Sequence, residues 1–268
     1  MKRTLVLLCV LGLLAGCRTP APTRPLSPED PRPARLLERL RERGAARQAL
    51  RARTRLQIDA PDLKFNRPQR MAVSRPSHLR VEIIGLFGQV AAVLVTDGET
   101  YEFYDARQSN FERGPVTESL LWQVARVDLE PAEATRLLLG TPEPGGKYRL
   151  ADARVLAGGK VGFELQDSRG RVRERYLFDR GERLLQTERL DEEGRLLWRA
   201  GFGDYRRIPG SQGKTGEFAH LVELKFPRVR GRVELTFKEV ALVPRLPTEL
   251  FDLEEPNSRT SASGGLGP

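Results

Sequence analysis

Glycine-centred turns recur at nearly even intervals through the second half of the chain. They fall at Gly158-Gly159, Gly170, Gly181 and Gly194, with a spacing of 11 to 13 residues. Each interval holds one short run of mixed apolar and polar residues, which is the length of a single β-strand. Because such short turns join only neighbouring strands, the spacing predicts an antiparallel β-meander. Its predicted strands are Val161–Gln166, Val172–Phe178, Leu184–Leu190 and Leu196–Phe202.

Further strands are predicted on both sides of this meander. They are Leu79–Ile83, Val90–Thr96, Tyr101–Tyr104, His220–Phe226 and Val233–Val240. Asp97-Gly98 is a typical hairpin turn between the second and third of these. Two segments have helical spacing instead, and Pro131 suits the first turn of a helix. The predicted helices are Glu118–Val124 and Pro131–Leu139.

The number of strands constrains the architecture. An antiparallel sheet of about ten strands curls or closes, because each strand is twisted relative to the next. With one apolar face and short helices to cover it, we expect a mainly β (α+β) fold. Its form is a curved antiparallel half-barrel with the helices in the concave face. Such a half-barrel is either filled by its own side chains or holds an apolar ligand at its mouth.

The N-terminus has the features of an export signal. Met1-Lys2-Arg3 is positively charged, and the apolar run Leu5–Leu14 is about half as long as a membrane span requires. The run leads into Leu14-Ala15-Gly16-Cys17, which resembles the bacterial lipobox. The resemblance implies a signal peptide over residues 1–16 and a diacylglyceryl and palmitate-type acyl modification of Cys17. In the lipoprotein sorting rule that this resemblance brings with it, Arg18 rather than Asp after the cysteine favours an outer-membrane anchor facing the periplasm.

Between this anchor and the body lies a proline- and arginine-rich leader. Residues 17–33 are predicted to be an acylated tether, since Pro20–Pro33 holds six prolines in fourteen residues. A helix is predicted over Ala34–Thr54, at the start of a single domain that spans residues 34–253. Residues 254–268 are predicted to be a disordered tail. The predicted helix carries arginines at an i, i+4 spacing, which would form a cationic ridge against a membrane or a solvated face. These arginines are Arg35, Arg39, Arg43 and Arg47.

The charge distribution argues against a nucleic-acid partner. The chain has a formal net charge of +9, of which +2 lies in the signal and +7 in residues 18–55. Residues 56–268 are neutral, with 32 cations and 32 acids. A nucleic-acid-binding domain is expected to carry its basic face on the folded body, among aromatic residues. The high isoelectric point therefore comes from the basic leader. It indicates where the chain is held rather than what its fold binds, and we expect no nucleic-acid partner.

Residues that carry catalytic chemistry are sparse. The chain has two histidines, His78 and His220, each near the start of a predicted strand and far apart in sequence. It has no G-x-S-x-G elbow and no P-loop, and Cys17 is the one cysteine that follows the signal. We predict a protein that is not an enzyme, with no catalytic residues, no metal and no cofactor.

Three stretches together resemble the LolA/LolB-like lipoprotein-carrier superfamily. The first runs from Arg75-Pro76-Ser77-His78 through Asp97-Gly98 to Tyr104, and the second is the helical stretch Thr117–Gly140. The third begins at Gly203-Asp204-Tyr205 and ends at Leu246-Pro247-Thr248-Glu249-Leu250-Phe251. The resemblance covers roughly residues 45–253. It implies an open barrel of about eleven strands with a helical lid that binds acyl chains of lipids or lipoproteins in the concave face.

With the lipobox, the resemblance favours a membrane-anchored acceptor of the LolB kind or a remote relative. Its partners would be acyl chains, the inner leaflet of the outer membrane and a soluble periplasmic carrier. The candidate residues for the concave face are Val81, Ile83, Val93, Val95, Tyr101 and Phe103, and those for the lid are Leu120, Leu121, Val124, Leu137 and Leu138. Leu86 and Phe87 are the candidate membrane-insertion loop.

Two alternatives stay open from the sequence. The eleven candidate cavity residues could form a dry core. The protein could also be a structural or assembly-scaffold lipoprotein whose half-barrel docks a protein partner. A continuous apolar cavity between sheet and helices would favour the carrier, and a filled core would favour the scaffold.

Overall fold

The computed structural model describes residues 23–209 and 215–253. The predicted signal peptide, Cys17 and the predicted tail lie outside the described residues. The described part forms one antiparallel sheet of fourteen strands with three α-helices. None of these helices is both long enough and apolar enough to cross a membrane.

The elements follow the chain from β1 to β14. The strands are β1 Arg24–Pro25, β2 Ala49–Ala60, β3 Leu63–Ser74, β4 His78–Ile84, β5 Val90–Thr96, β6 Thr100–Asp105, β7 Asn110–Pro115, β8 Arg149–Leu156, β9 Lys160–Gln166, β10 Val172–Phe178, β11 Leu184–Leu190, β12 Leu196–Pro209, β13 Thr215–Phe226 and β14 Gly231–Val243. The helices are α1 Arg32–Ala46, α2 Leu120–Ala125 and α3 Pro131–Leu138, with short 3-10 helices at Ala157–Gly159, Pro227–Val229 and Thr248–Phe251.

The sheet is open and consists of two meanders joined in the middle. One meander runs from β2 to β7 and the other from β8 to β14, and β14 pairs with β2 along almost its whole length. β7 ends the sheet on one side, while the two-residue β1 ends it on the other, beside β8. The predicted mainly β, curved antiparallel fold with few helices is confirmed.

All nine predicted strands are present, but the count of about eleven was too low. The strands without a sequence assignment are β1, β2, β3, β7 and β8. β7 has the sequence Asn-Phe-Glu-Arg-Gly-Pro and lies at the end of the sheet, where only one neighbour holds it. Its residues show little alternation of apolar and polar side chains, so the sequence gives no strand signal there. The strand is held mainly by backbone hydrogen bonds to its one neighbour.

The helix predicted over residues 34–54 is wrong at its C-terminal end. α1 ends at Ala46, and residues 49–60 form β2, in which Leu50, Ala52 and Thr54 are buried. The arginines between them at 51, 53 and 55 have the two-residue period of a strand. A helix could not bury these three residues together, because a period of two does not match 3.6 residues per turn.

The described part of the predicted tether and the cationic ridge both contact the domain. Arg24–Pro25 pairs with β8, and the Leu26 amide donates to the Ala153 carbonyl at 2.9 Å, so the described part of the leader lies against the sheet. Arg35 and Arg39 form ion pairs with Glu182 of the domain. Both arginine side chains remain about half exposed, so the ridge pairs with the domain at these positions while it stays accessible to solvent.

Arg47, the last residue of the predicted ridge, is partly buried. Its guanidinium donates to the carbonyl oxygens of Leu139, at 3.1 Å, and Glu217, at 2.5 Å, and lies over the ring of Phe218. This burial lowers the pKa of Arg47 to about 10. Arg47 is therefore a bridge between α3 and β13 and is not available to a membrane.

The two halves of the sheet are packed differently. In the second half, Phe163 stacks on Tyr176 and Phe178 with ring centroids 5.4 and 5.8 Å apart, and Leu36 and Leu40 of α1 belong to the same core. Large aromatic side chains and α1 thus fill this end. In the first half, α2 and α3 cover the concave face without filling it, and this is where the candidate site lies.

Candidate functional site

A cavity of about 780 Å³ lies between the two short helices and the concave face of the sheet. Its walls come from β2 to β6, from β13 and β14, and from the segment that contains α2 and α3. The lining is predominantly apolar, and the volume is within the range of pockets that bury a small ligand. The continuous apolar cavity that would favour a carrier is therefore present.

Strand register builds the floor of this cavity. Val81 lies opposite Leu94, which in turn lies opposite Phe103, so the three form one row across β4, β5 and β6. Ile83 and Ala92 form part of the next row towards the mouth. Side chains directly opposite one another project to the same face, so these rows produce a continuous apolar surface.

The helical segment forms the roof and is tied to the sheet at one end. Arg126 ends α2 with its backbone in a left-handed conformation. Its side chain donates to Asp62, between β2 and β3, at 2.8 Å. It also donates to the Trp122 carbonyl at 3.1 Å and lies over the Trp122 ring. Opening of the roof would require this contact to break.

Residues at the N-terminus of α3 cap the helix. The Glu130 amide faces the Glu133 carboxylate at 3.4 Å, and Pro131 occupies the first turn, where no amide hydrogen is needed. Burial, together with the neighbouring Glu130 charge, raises the pKa of Glu133. Leu137 and Leu138 of α3 lie in the cavity lining above the floor.

Seven of the eleven residues predicted for the cavity lie in its lining. They are Val81, Ile83, Phe103, Leu121, Val124, Leu137 and Leu138. The other four do not line it. Val93 and Val95 lie opposite Glu82 and Arg80, on the other face of the sheet from Leu94, and Leu120 is buried beside the cavity in the core. The run Val90–Thr96 is too uniformly apolar for its two faces to be distinguished from sequence.

Tyr101 projects to the same face as Phe103 but packs on the edge strand β7 instead of lining the cavity. It lies opposite Gly114 of β7, and a Cβ at that glycine would come within 3.0 Å of the Tyr101 ring. The ring thus covers the backbone of the edge strand. The space for it exists only because residue 114 has no side chain.

Sequence reasoning missed the cavity residues of β2, β3, β13 and β14. They are Leu56, Ile58, Phe65, Met71, Val222, Leu224, Val233 and Leu235. The last four were assigned to strands but not to the cavity. On β2, the alternation of Leu56 with Ile58 was the available signal.

The β4–β5 hairpin loop stands at the mouth of the cavity. Leu86 and Phe87 are 83% and 93% exposed, and both also contribute to the rim. The loop is ordered by hydrogen bonds from the Gly85 amide to the Gln89 carbonyl at 2.8 Å and from the Phe87 amide to the Gln89 side chain at 3.0 Å. Gly88, with φ of 82°, supplies the left-handed residue that the turn requires. Two large apolar side chains are therefore exposed on a turn whose backbone is ordered by hydrogen bonds.

Three cations surround the same mouth. They are Lys64, Arg67 and Arg107, and Asp105 is the one acid in the lining. Lys64 pairs with Asp59 at 2.6 Å, whereas Arg67 has no carboxylate within ion-pair distance among residues 23–209 and 215–253. An apolar cavity with a cationic rim suits an amphipathic ligand whose head is anionic.

Each of the two histidines packs against a phenylalanine ring. His78 lies edge-on to Phe251 with ring centroids 5.1 Å apart, and Nδ1 of His220 lies 3.1 Å from the Phe218 carbonyl. In the described part of the chain, no three His, Cys, Asp or Glu side chains are grouped as metal ligands.

Comparisons with known proteins support the fold. No family model matches the chain, and no curated protein matches it. Among solved structures, a LolA superfamily protein from Nitrosomonas europaea matches with a TM-score of 0.50 at 14% identity, covering 82% of this chain and 97% of that one. A DUF1329 family protein from Desulfovibrio piger matches with a TM-score of 0.58 at 14% identity, covering 83% of this chain and 98% of that one. The chain therefore has a LolA-like fold, as its three sequence stretches predicted.

Proposed function

We propose that this protein binds acyl chains of lipids or lipoproteins in the cavity and transfers them at the outer membrane. The observation that carries the proposal is the open apolar cavity of about 780 Å³, roofed by α2 and α3. Burial of an acyl chain there is worth about 0.8 kcal/mol per CH₂ group, so the cavity needs no catalytic residue to hold its ligand. The role is binding and transfer rather than catalysis. The cavity favours this role over that of a scaffold with a filled core.

A binding measurement tests the proposal. The full chain carrying Cys17→Ala, exported and purified without detergent, should bind a fluorescent fatty acid, and unlabelled tetradecanoate should displace it. Native mass spectrometry should show lipid that co-purifies with the protein. If no lipid co-purifies and the fluorescent fatty acid does not bind, the carrier hypothesis is wrong.

Attachment to the membrane is part of the same proposal. Cys17 would carry the acyl anchor on the inner leaflet of the outer membrane, and a soluble periplasmic carrier would deliver the cargo. We expect Cys17→Ala to move the protein from the membrane to the soluble periplasmic fraction. Fractionation followed by immunoblotting measures this. Retention in the membrane would contradict acylation at this cysteine.

The exposed loop would insert into the bilayer. Leu86 and Phe87 at the mouth are each worth about 1.5–3 kcal/mol when fully buried. In the Cys17→Ala background, the change Leu86→Ser with Phe87→Ser should therefore weaken binding to phosphatidylethanolamine and phosphatidylglycerol vesicles at least about tenfold. Vesicle co-sedimentation is the measurement.

The control for the loop is an exposed apolar residue elsewhere. Leu150 on β8 is 40% exposed and lies in the other meander, so Leu150→Ser should leave vesicle binding unchanged. Equal vesicle binding by the loop variant and the parent would exclude a membrane role for the loop.

A further inference from the structure

Two buried polar side chains interrupt the apolar floor of the half-barrel without hydrogen-bond partners. Gln69 on β3 is 3% exposed, lines the cavity, and its Oε1 has no partner in the described structure. Thr54 on β2 does not itself line the cavity but is 2% exposed, and its Oγ1 is also unpaired there. A buried polar atom without a partner costs free energy, so such atoms are normally paired.

These two residues are neighbours on one face of the sheet. Thr54 lies directly opposite Gln69 in the β2–β3 register, and Gln69 lies directly opposite Ile83, which lines the cavity. Cβ atoms of opposite residues are about 4.5–5.5 Å apart. One small polar group between them could therefore contact both the amide oxygen and the hydroxyl.

The position of Gln69 along β3 gives the depth of this polar pair. Arg67, two residues before it on the same face, is exposed at the rim, whereas Met71, two residues after it, is buried in the cavity. Residues two apart on a strand are separated by about 6.6–6.8 Å. A ligand with its polar head at Arg67 would place Gln69 beside the first few atoms of its chain.

We propose that the preferred ligand is an acyl chain with a hydroxyl group a few atoms from its polar head. The inference rests on the proposed acyl-chain binding. The hydroxyl donates its hydrogen to Oε1 of Gln69 and accepts one from the Thr54 hydroxyl, while the remaining chain runs past Met71 over the apolar floor. An unsubstituted chain leaves both side chains unpaired. The polar pair thus selects among acyl chains of equal length.

Paired ligands test this selection. In the Cys17→Ala background, 3-hydroxytetradecanoate should displace the fluorescent fatty acid at about tenfold lower concentration than tetradecanoate. Gln69→Leu with Thr54→Val should abolish the difference by weakening the hydroxylated ligand, with tetradecanoate binding retained. Replacing unpaired buried groups by apolar ones of similar shape is compatible with folding, and urea unfolding checks this. Gln69→Met with Thr54→Val is a second variant with the same expected result.

A second buried threonine is a matched control. Thr135 on α3 is fully buried with an unpaired Oγ1, but unlike Thr54 it is not the cross-strand neighbour of Gln69, so Thr135→Val should keep the tenfold preference. If tetradecanoate binds but the parent shows no preference, or if the Gln69/Thr54 variant keeps it, the hydroxyl inference is overturned and acyl binding stands. If neither acid binds, the proposed function itself fails.

Discussion

Replacing Ala92 with tryptophan should lower the affinity for tetradecanoate at least about tenfold. Ala92 lines the cavity on β5, opposite Ile83 and next to the row that contains Leu94. An indole at this position occupies volume that the acyl chain needs. Displacing two CH₂ groups from the apolar floor costs about 1.6 kcal/mol, which is slightly more than a factor of ten in the dissociation constant. Displacement of the fluorescent fatty acid measures the change.

The control is the same substitution on the outside of the sheet. Ala241 on β14 is exposed and does not line the cavity, so Ala241→Trp should bind tetradecanoate like the parent. Both variants should unfold at urea concentrations close to that of the parent, because Ala92 borders empty space. Unaltered binding by a folded Ala92→Trp variant would show that the chain does not occupy this part of the cavity.

Replacing Arg189 with leucine should reduce the free energy of unfolding by about 3–5 kcal/mol. Glu174 on β10 is 5% exposed and lies directly opposite Arg189 on β11, whose Nη1 donates to its Oε1 at 2.5 Å. The Gly145 amide and the Tyr176 hydroxyl donate to the same carboxylate, at 3.1 and 2.7 Å. Burial and the nearby Glu174 charge raise the pKa of Tyr176 well above its ordinary value. Without Arg189, a buried carboxylate loses its one ion-pair partner among the described residues.

An exposed pair on the next hairpin is the comparison. Arg195 donates to Asp191 at 2.7 Å, but the Arg195 side chain is 69% exposed. Arg195→Leu should therefore cost less than about 1 kcal/mol. Urea unfolding followed by circular dichroism measures both variants. Replacing Glu174 with leucine as well should restore most of the stability lost in Arg189→Leu, because no unpaired charge remains. Equal losses for Arg189→Leu and Arg195→Leu would show that Glu174 is solvated in solution.

Much of the fold was readable because its signals are local. The even spacing of Gly158-Gly159, Gly170, Gly181 and Gly194 predicted the second meander, and each predicted strand there is present. Pro131 marked the start of α3 correctly. A turn residue or a first-turn proline acts within a few positions of itself, so the sequence around it carries the information.

The errors arose where neighbouring strands supply the signal. Residues 49–54 of β2 were assigned to a helix because the alternation of Leu50, Ala52 and Thr54 acquires meaning only when β14 and β3 pair on both sides. Val93 and Val95 were placed on the wrong face, because an evenly apolar strand has no preferred face until its register is set by β4 and β6.

The local pattern was sufficient for the type of fold, for the two short helices and for the exposed Leu86-Phe87 loop. Tertiary structure alone left the first half of the barrel hollow while Phe163, Tyr176 and Phe178 fill the second. It also brought Gln69 and Thr54 together inside the apolar face. A cavity depends on how far roof and floor stand apart, and this distance is set by contacts between residues that are remote in the chain.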